Sequence, residues 1–298
     1  MGKDAACAAA VNLLPNPTER PRDVYSAVAS AVQRKAVKDA SSATQRVGEA
    51  AKLLERNGGV VDRKLVKQTV MTVVYGVTLF GAKEQISNRL RERGWTNEQE
   101  IFGVSWYLAK SVFDCIDEVF KNANETKEWL ARCAREVAGT GQVVTWTSPM
   151  GFPVHQPYVR KTAKKIKTSL QTATIQVEEP LPPGSLRLVD KKAQTSAFPP
   201  NYVHSLDSSH MMMTAIECQK QGVTFAGVHD SFWTHAGSVD HLGILLRHAF
   251  VDLHSRPLLK QLQSELQELM KEQGKLPALP KMGRLDVREV LRAEYFFS

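Results

Sequence analysis

The chain has 298 residues, of which 43% are hydrophobic and 23% are charged, values that are ordinary for a globular protein of one or two domains. Its 39 Lys and Arg residues against 31 Asp and Glu residues give a formal net charge of +8, which favours an acidic partner such as nucleic acid. No apolar run reaches the length that spans a bilayer, and neither a signal nor a transit peptide is recognisable, so a membrane role is not expected. The cysteines lack metal-site spacing, which argues against zinc and favours free thiols in a reducing compartment (Cys7, Cys115, Cys133 and Cys218).

The first fifth of the chain is predicted to be helical. Residues 2–13 are rich in small side chains and predict a helix with no capping residue before it. Residues 23–38 and 41–56 show the spacing of amphipathic helices, and the glycine pair 58–59 ends the second of them. Because the first helix lacks a beginning, we expect the natural chain to start upstream of Met1.

The stretch from Arg63 to Gly81 carries the strongest chemical pattern in the chain. Arg63, Lys67, Met71 and Tyr75 recur at steps of four. A helix turns about 100° per residue, so these side chains form one slowly winding stripe roughly 18 Å long. The valines of this stretch lie largely off the stripe and are expected to pack on a core (Val66, Val70, Val73, Val74 and Val77).

The stripe suits an anionic ligand that carries a flat group at one end. Arg63 and Lys67 suit phosphates, and Tyr75 suits a base or sugar, so the pattern predicts a nucleoside triphosphate site. Gly76 directly follows the phenol and allows the backbone to loosen there. Two alternatives stay open: the valines and threonines favour a strand, and a basic amphipathic helix is more often a solvated surface.

The middle of the chain changes from a helical to an alternating pattern. Helices are predicted over 98–121 and 125–138, and they end at glycines. Residues 143–147 and 152–159 alternate as paired strands do, on either side of a turn. The aromatic residues of this part are most simply explained as core residues; they are Trp106, Tyr107, Phe113 and Phe120.

A dense basic run follows the second strand. Residues 160–167 are expected to be a solvated loop or an edge strand, and in a protein that holds nucleic acid they suit phosphate contacts. The cations of this run are Arg160, Lys161, Lys164, Lys165 and Lys167. Residues 178–194, rich in Pro, Gly and Lys, predict a mobile surface loop.

Two further segments carry candidate chemistry. Residues 198–205 are predicted to lead into a helix of about a dozen residues, with His204 just before it. Residues 223–235 predict a β-hairpin with Asp230 at its tip, where a carboxylate suits Mg²⁺. The simpler alternatives are a capping or core histidine and a carboxylate that hydrogen-bonds its own turn. Helices over 240–273 and 286–293 complete the prediction.

These motifs together resemble the palm-and-fingers polymerases. The pattern is Arg63-x3-Lys67-x7-Tyr75-Gly76, followed much later by His229-Asp230-Ser231. Ser231 stands where the DNA-polymerase I branch has a glutamate. With the segment PPNYVHSLDSSH, the chain resembles the single-subunit, phage-type RNA polymerases, and most of all their mitochondrial branch. The resemblance covers the whole chain, from AAVNLLP to YFFS.

The resemblance implies a role for each matching residue. Asp230 is expected to hold the catalytic magnesium ions, two in the complete enzyme. Lys67 is expected to contact the triphosphate and protonate the pyrophosphate, and Arg63 to bind phosphate beside Met71. Tyr75 and Gly76 are expected to close on the nucleotide and select ribose, with His204 near the 2′-hydroxyl.

The resemblance also implies partners, a fold and a division of the chain. The expected partners are a DNA template, an RNA transcript, ribonucleoside triphosphates and mitochondrial transcription factors. The expected location is the mitochondrion. The expected fold is α+β and mostly helical, a partial palm-and-fingers fold whose β-hairpin carries the catalytic Asp. Its parts are palm-to-fingers helices (1–57), fingers (58–200, with the nucleotide-binding helix 63–81 and a β-rich basic insertion 141–195), and the carboxy-terminal palm (201–298, with the hairpin 223–235).

One departure from the family pattern concerns the metal site. The family uses a second aspartate upstream of the nucleotide-binding helix, which falls before Met1 here, and Asp4 does not sit in that motif. We therefore expect a fragment that is inactive alone. Two alternatives to an RNA polymerase stay open: a non-catalytic nucleic-acid-binding truncation product, and a DNA polymerase related to the DNA-polymerase I branch, against which Ser231 argues.

Overall fold

A computed structural model describes residues 2–16, 20–41, 45–74, 76–178, 189–228, 230–271 and 273–296. Most of these residues are helical, and three two-stranded antiparallel sheets accompany the helices, which confirms the expected α+β, mostly helical class. The structure divides into two compact units. We call them the helical unit (Gly2–Asn124 with the stretch from Met282) and the sheet-bearing unit (Glu125–Lys281). The division into functional parts 1–57, 58–200 and 201–298 stays a prediction.

The helical unit is built from amphipathic helices around one hydrophobic core. Its elements are α1 (Ala5–Ala10), α2 (Val24–Ala40), α3 (Gln45–Arg56), α4 (Arg63–Val74), α5 (Leu79–Glu92), α6 (Glu98–Val119) and a 3₁₀ helix (Val287–Arg292). Helices α2, α4 and α6 contribute Val32, Val66 and Leu108, all fully buried. Burial of such side chains stabilises the fold by about 1.5–3 kcal/mol each relative to exposure.

The first helix has a cap that the sequence prediction missed. Asp4 has an extended backbone, and its side chain accepts hydrogen bonds from the backbone N–H groups of Ala6 (2.9 Å) and Cys7 (3.2 Å). Such a bond satisfies an N–H group that has no partner inside the helix. The expectation of an uncapped helix over residues 2–13 was therefore wrong, and the helix is limited to Ala5–Ala10.

The predicted helix 63–81 is two helices. Helix α4 ends at Val74, Gly76 adopts a φ of +86°, and α5 begins at Leu79 behind the N-cap Thr78. The Thr78 hydroxyl accepts a hydrogen bond from the Gly81 N–H at 3.1 Å. A positive φ is easy only for glycine, so Gly76 is the point at which the chain leaves the first helix.

The sheet-bearing unit combines long helices with short hairpins. Its elements are most of α7 (Lys121–Gly139), β1 (Thr145–Thr147), β2 (Pro153–His155), β3 (Lys161–Lys167), β4 (Thr172–Glu178), α8 (Lys191–Lys220), β5 (Ala226–Val228), β6 (Ser231–Trp233), α9 (Val239–Ser255) and α10 (Leu258–Leu269). The strands pair only with their sequence neighbours, as β1–β2, β3–β4 and β5–β6. Trp129 of α7, Phe198 of α8 and Leu253 of α9 are fully buried in its core.

Helix α8 is far longer than the predicted helix of about a dozen residues, and it also includes the end of the predicted loop 178–194. It begins at Lys191, inside the predicted loop 178–194, and continues through Pro199 and Pro200 to Lys220. A proline in a helix removes a backbone hydrogen bond and usually breaks the helix. Here Phe198 and Tyr202 lie on the buried side and contact Trp146 edge-on, with ring centroids 5.2 and 6.1 Å apart, and this packing offsets the loss. Residues 179–188 of the predicted loop lie outside the described residues.

None of the helices in the described part of the chain is long and apolar enough to cross a membrane.

Candidate functional site: an exposed cationic helix and a carboxylate hairpin

Helix α4 presents the predicted stripe on its exposed side. Arg63 and Met71 are exposed and Lys67 is half-buried, whereas Val66, Val70 and Val73 are buried. This arrangement confirms that the stripe and the valines lie on different faces of a helix, and it excludes the strand alternative. The Val74 side chain and Tyr75 lie outside the described residues, and Gly76 follows the end of the helix.

Arg63 is held by the capping residue of a neighbouring helix. Its Nε donates a hydrogen bond to Oδ2 of Asp23 at 2.8 Å. Asp23 also accepts hydrogen bonds from the Tyr25 backbone N–H (3.0 Å) and the Ser26 hydroxyl (2.6 Å) at the start of α2. Burial alone raises the pKa of Asp23, but the hydrogen bonds and the Arg63 charge together lower it below its usual value.

An aromatic ring of α2 accompanies both cations. The Arg63 guanidinium lies 5.3 Å and the Lys67 ammonium 5.8 Å from the centre of the Tyr25 ring. Such cation–π contacts are worth about 0.5–1 kcal/mol at exposed sites. The ring therefore helps to align two positive charges one helical turn apart, which is an arrangement suited to successive phosphates.

The hairpin of the sheet-bearing unit carries a carboxylate at its tip. Strands β5 and β6 pair in antiparallel register, with Val228 opposite Ser231. Asp230 is exposed and lies in a turn directly before Ser231, and the pairing of the two strands confirms the predicted hairpin as a structural element. His229 lies outside the described residues.

His204 lies inside α8, so its predicted position just before a helix was wrong and the alternative of a capping histidine is excluded. It is exposed, and Asp207 lies three residues further on, on the same face of the helix. The pKa of Asp207 is raised above its usual value, mainly by burial. The Asp230 charge adds to the rise, and His204 opposes it. Asp207 is thus electrostatically coupled to both predicted residues. No role was predicted for Asp207, although the spacing His204-x2-Asp207 is visible in the sequence.

A buried amide network fixes the β1–β2 hairpin to α8. Gln194 is fully buried and its Oε1 accepts hydrogen bonds from the Val144 N–H (3.2 Å) and the Gln156 Nε2 (2.8 Å). Its Nε2 donates to the Gln156 backbone carbonyl at 2.7 Å. The Gln156 Oε1 in turn accepts a hydrogen bond from Asn201 Nδ2 at 2.9 Å, three residues before His204. This network holds the β1–β2 hairpin against the part of α8 that carries His204, and it was not predicted from the sequence.

The predicted basic run is a strand of an exposed two-stranded ribbon. Strand β3 pairs with β4 over seven residues, from Lys161 opposite Glu178 to Lys167 opposite Thr172. Side chains alternate along a strand, so Lys161, Lys165 and Lys167 share one face and Lys164 lies on the other. All four lysines and the adjacent Arg160 are exposed. The ribbon therefore offers positive charge on both of its faces.

Asp230 can supply one of the oxygen ligands that Mg²⁺ needs. Within the described residues, no group of three or more His, Cys, Asp or Glu side chains is placed to hold a metal ion. Mg²⁺ is commonly bound by one or two carboxylates together with water and substrate phosphates. An exposed carboxylate on a short hairpin fits that type of site.

Comparison with known proteins identifies the family. The family model described as DNA-dependent RNA polymerase matches residues 1–276. The chain is 46% identical to DNA-directed RNA polymerase 2, chloroplastic/mitochondrial, of Arabidopsis thaliana, and 45% identical to DNA-directed RNA polymerase 1, mitochondrial, of Nicotiana sylvestris. Both comparisons cover 100% of this chain but only 28% and 29% of those relatives.

A shorter relative is matched over most of its length. DNA-directed RNA polymerase 2A of Nicotiana tabacum is 45% identical over 100% of this chain and 87% of its own length. The chain belongs to the DNA-dependent RNA polymerase family.

Proposed function

We propose that this chain supplies the nucleotide-binding helix and the metal-binding hairpin of a DNA-directed RNA polymerase. The reaction is the template-directed transfer of a ribonucleoside triphosphate to an RNA 3′-hydroxyl, with release of pyrophosphate. The observation that carries the proposal is the exposed Asp230 directly before strand β6 of the hairpin, in a chain of this family. DNA template, RNA transcript and triphosphates are the partners that this reaction requires.

Each part of the site has a chemical task in this proposal. Arg63 and Lys67 bind and neutralise the triphosphate, and Lys67 gives a proton to the leaving pyrophosphate. Met71, Tyr75 and Gly76 receive the base and sugar of the incoming nucleotide, and His204 lies near the ribose 2′-hydroxyl. Asp230 holds Mg²⁺, which neutralises charge on the transferring phosphoryl group when it is bound.

The basic ribbon is assigned to the nucleic acid. Its exposed cations, Arg160, Lys161, Lys164, Lys165 and Lys167, suit phosphate contacts. A two-stranded β-ribbon also has the width that the DNA major groove admits. The organellar names of the relatives support a place in mitochondria, where mitochondrial transcription factors are further partners, and plastids are the second compartment that those names suggest.

The metal role is tested with Asp230→Asn, and Asp240→Asn is the matched control because Asp240 is exposed ten residues further on. In the polymerase that carries this chain, the first variant is expected to abolish RNA extension and to leave template binding intact. In the chain itself, Fe²⁺ in place of Mg²⁺ is expected to cleave the backbone near the hairpin in the wild type and in the control. Extension or cleavage that persists in Asp230→Asn would falsify the metal role.

A further inference from the structure

A cavity of about 440 Å³ lies in the sheet-bearing unit between the β1–β2 hairpin and α8. Trp146, Ser148 and Gln156 are buried parts of its lining, and Phe152, Tyr158 and His204 are exposed parts. A volume of this size lies within the range of small-molecule sites in proteins. The cavity is therefore both large enough for an organic ligand and accessible from solvent.

The lining has the chemistry of a site for a flat, uncharged, hydrogen-bonding group. Three aromatic side chains supply surfaces for stacking, namely Trp146, Phe152 and Tyr158. The amide oxygens of Gln156 and Asn201 add hydrogen-bond acceptors, and the exposed Ser208 adds a hydroxyl that donates and accepts. None of the described residues that line the cavity is Asp, Glu, Lys or Arg, and its two histidines, His155 and His204, are exposed. The buried part of the lining is therefore uncharged.

The walls of the cavity are fixed before any ligand arrives. The Trp146 Nε1 donates a hydrogen bond to the Ser205 hydroxyl at 3.0 Å, which ties β1 to α8. Gln156 is held by the buried Gln194, and Asn201 donates hydrogen bonds to the Gln156 Oε1 (2.9 Å) and the Tyr158 hydroxyl (3.4 Å). A preformed site loses less conformational entropy when it binds, so this rigidity favours affinity.

Positive charge begins directly outside the cavity. Arg160 and Lys161 are exposed and follow Tyr158 by two and three residues, at the start of the basic ribbon. A nucleotide in a strand has this same division, with an uncharged flat base and an anionic phosphate next to it. Single-stranded nucleic acid is commonly bound in this way, by stacking of bases on aromatic side chains beside a basic track.

We propose that this cavity binds one unpaired nucleobase of a single strand of RNA or DNA while the basic ribbon contacts the adjoining phosphates. The inference deepens the proposed function, because His204 belongs to both sets of residues. Its test uses neither Mg²⁺ nor triphosphates nor extension. A failure here therefore leaves the polymerase proposal intact, and a failure of Asp230 leaves this one intact.

The test measures binding of the chain to a six-nucleotide single strand that contains one 2-aminopurine, in EDTA at fixed salt. Stacking is expected to quench the 2-aminopurine fluorescence. Phe152→Ala is expected to weaken binding at least about fivefold, the lower end of the effect of removing one stacking partner. Phe102→Ala is the matched control, because Phe102 and Phe152 are both 56% exposed and Phe102 lies in the other unit. The control is expected to change the dissociation constant less than twofold.

Two further arms decide the ligand chemistry. A strand that is abasic at all six positions keeps the phosphates and is measured by competition with the 2-aminopurine strand. It is expected to bind the wild-type chain no more tightly than the 2-aminopurine strand binds Phe152→Ala. RNA and DNA strands of one sequence distinguish the source: tighter RNA binding assigns the cavity to the transcript, and equal binding assigns it to either strand. Equal affinities of the intact and abasic strands, or equal losses in Phe152→Ala and Phe102→Ala, would overturn the proposal.

A crosslinking measurement on the wild-type chain tests the proposal without relying on a variant that has to fold. A 5-iodouridine strand is irradiated with the wild-type chain, and the adducts are mapped by mass spectrometry. Adducts at Trp146, Phe152 or Tyr158 are expected. Adducts confined to the ribbon, residues 161–178, would show that only phosphate contacts bind the strand, which contradicts a base site.

Discussion

Replacement of Gln194 by leucine tests whether the amide network holds the β1–β2 hairpin on α8. The side chain is fully buried, and leucine has a similar volume but no polar atoms. In Gln194→Leu, the N–H of the fully buried Val144 loses the acceptor that lies 3.2 Å away. The Gln156 amide loses its better partner at 2.8 Å and keeps the Gln194 carbonyl at 3.4 Å. The Gln156 backbone carbonyl loses the Gln194 donor that lies 2.7 Å away.

The expected loss follows from these three groups. A buried donor left without a partner costs about 1–3 kcal/mol, and the weakened hydrogen bond and the lost one add about 1 kcal/mol each. The hairpin is therefore expected to open about 3–5 kcal/mol more easily. Since 1.4 kcal/mol corresponds to a factor of ten, its amide hydrogens are expected to exchange about 100- to 4000-fold faster.

A local measurement is needed because the chain has two compact units. The Gln156 N–H is a suitable probe, because it donates to the Val144 carbonyl at 3.1 Å inside the hairpin. The matched control is Gln219→Leu, an exposed glutamine on the same helix, which is expected to leave this exchange rate unchanged. A change of less than about threefold in Gln194→Leu, or an equal change in the control, would refute the reasoning.

Three further predictions concern stability and selectivity. Burial lowers the pKa of His254 to about 3, so the folded chain keeps this side chain neutral at a pH where the unfolded chain protonates it. The free energy of unfolding is therefore unaffected by His254 above pH 6.5 and declines as the pH falls from 6.5 towards 3. At pH 5 the free energy of unfolding is expected to be up to about 2 kcal/mol lower than at pH 8, and His254→Gln should reduce this dependence in denaturant titrations whereas His248→Gln, an exposed change on the same helix, should not. On α4, Val66→Ala is expected to reduce the unfolding free energy by about 1–3 kcal/mol, and Met71→Ala to change it by less than about 0.5 kcal/mol; similar losses would mean that the faces are wrongly assigned. In the polymerase that carries this chain, Tyr75→Phe is expected to relax discrimination against deoxynucleotides in single-nucleotide incorporation assays, and unchanged selectivity would remove Tyr75 from that role.

The sequence was sufficient where local pattern and burial agree. On α4 the buried valines and the exposed Arg63 and Met71 follow the period of the helix, so the face assignment needed no tertiary information. The same pattern was available for α5, where Ala82, Ile86 and Leu90 are buried at steps of four. That helix was missed because the predicted α4 was extended to Gly81, past the positive φ of Gly76.

The sequence was insufficient where distant contacts decide the structure. Pro199 and Pro200 indicate a helix end by every local rule, yet Phe198 and Tyr202 pack on Trp146, which is more than 50 residues away in the sequence. The network of Gln156 and Gln194 likewise joins two amides that are 38 residues apart. No local pattern distinguishes a buried, paired glutamine from a solvated one.

The ion pair between Arg63 and Asp23 bears on the remaining alternative for α4, a solvated surface. Both side chains are partly exposed, at 48% and 34%, and ion pairs of this kind are worth at most about 1 kcal/mol. A triphosphate carries several negative charges and makes charge-assisted hydrogen bonds to arginine. It can therefore replace Asp23 at little expense in free energy, while Tyr25 stays beside Arg63 and Lys67. A solvated surface in the free chain is therefore compatible with the phosphate site proposed for the same cationic stripe.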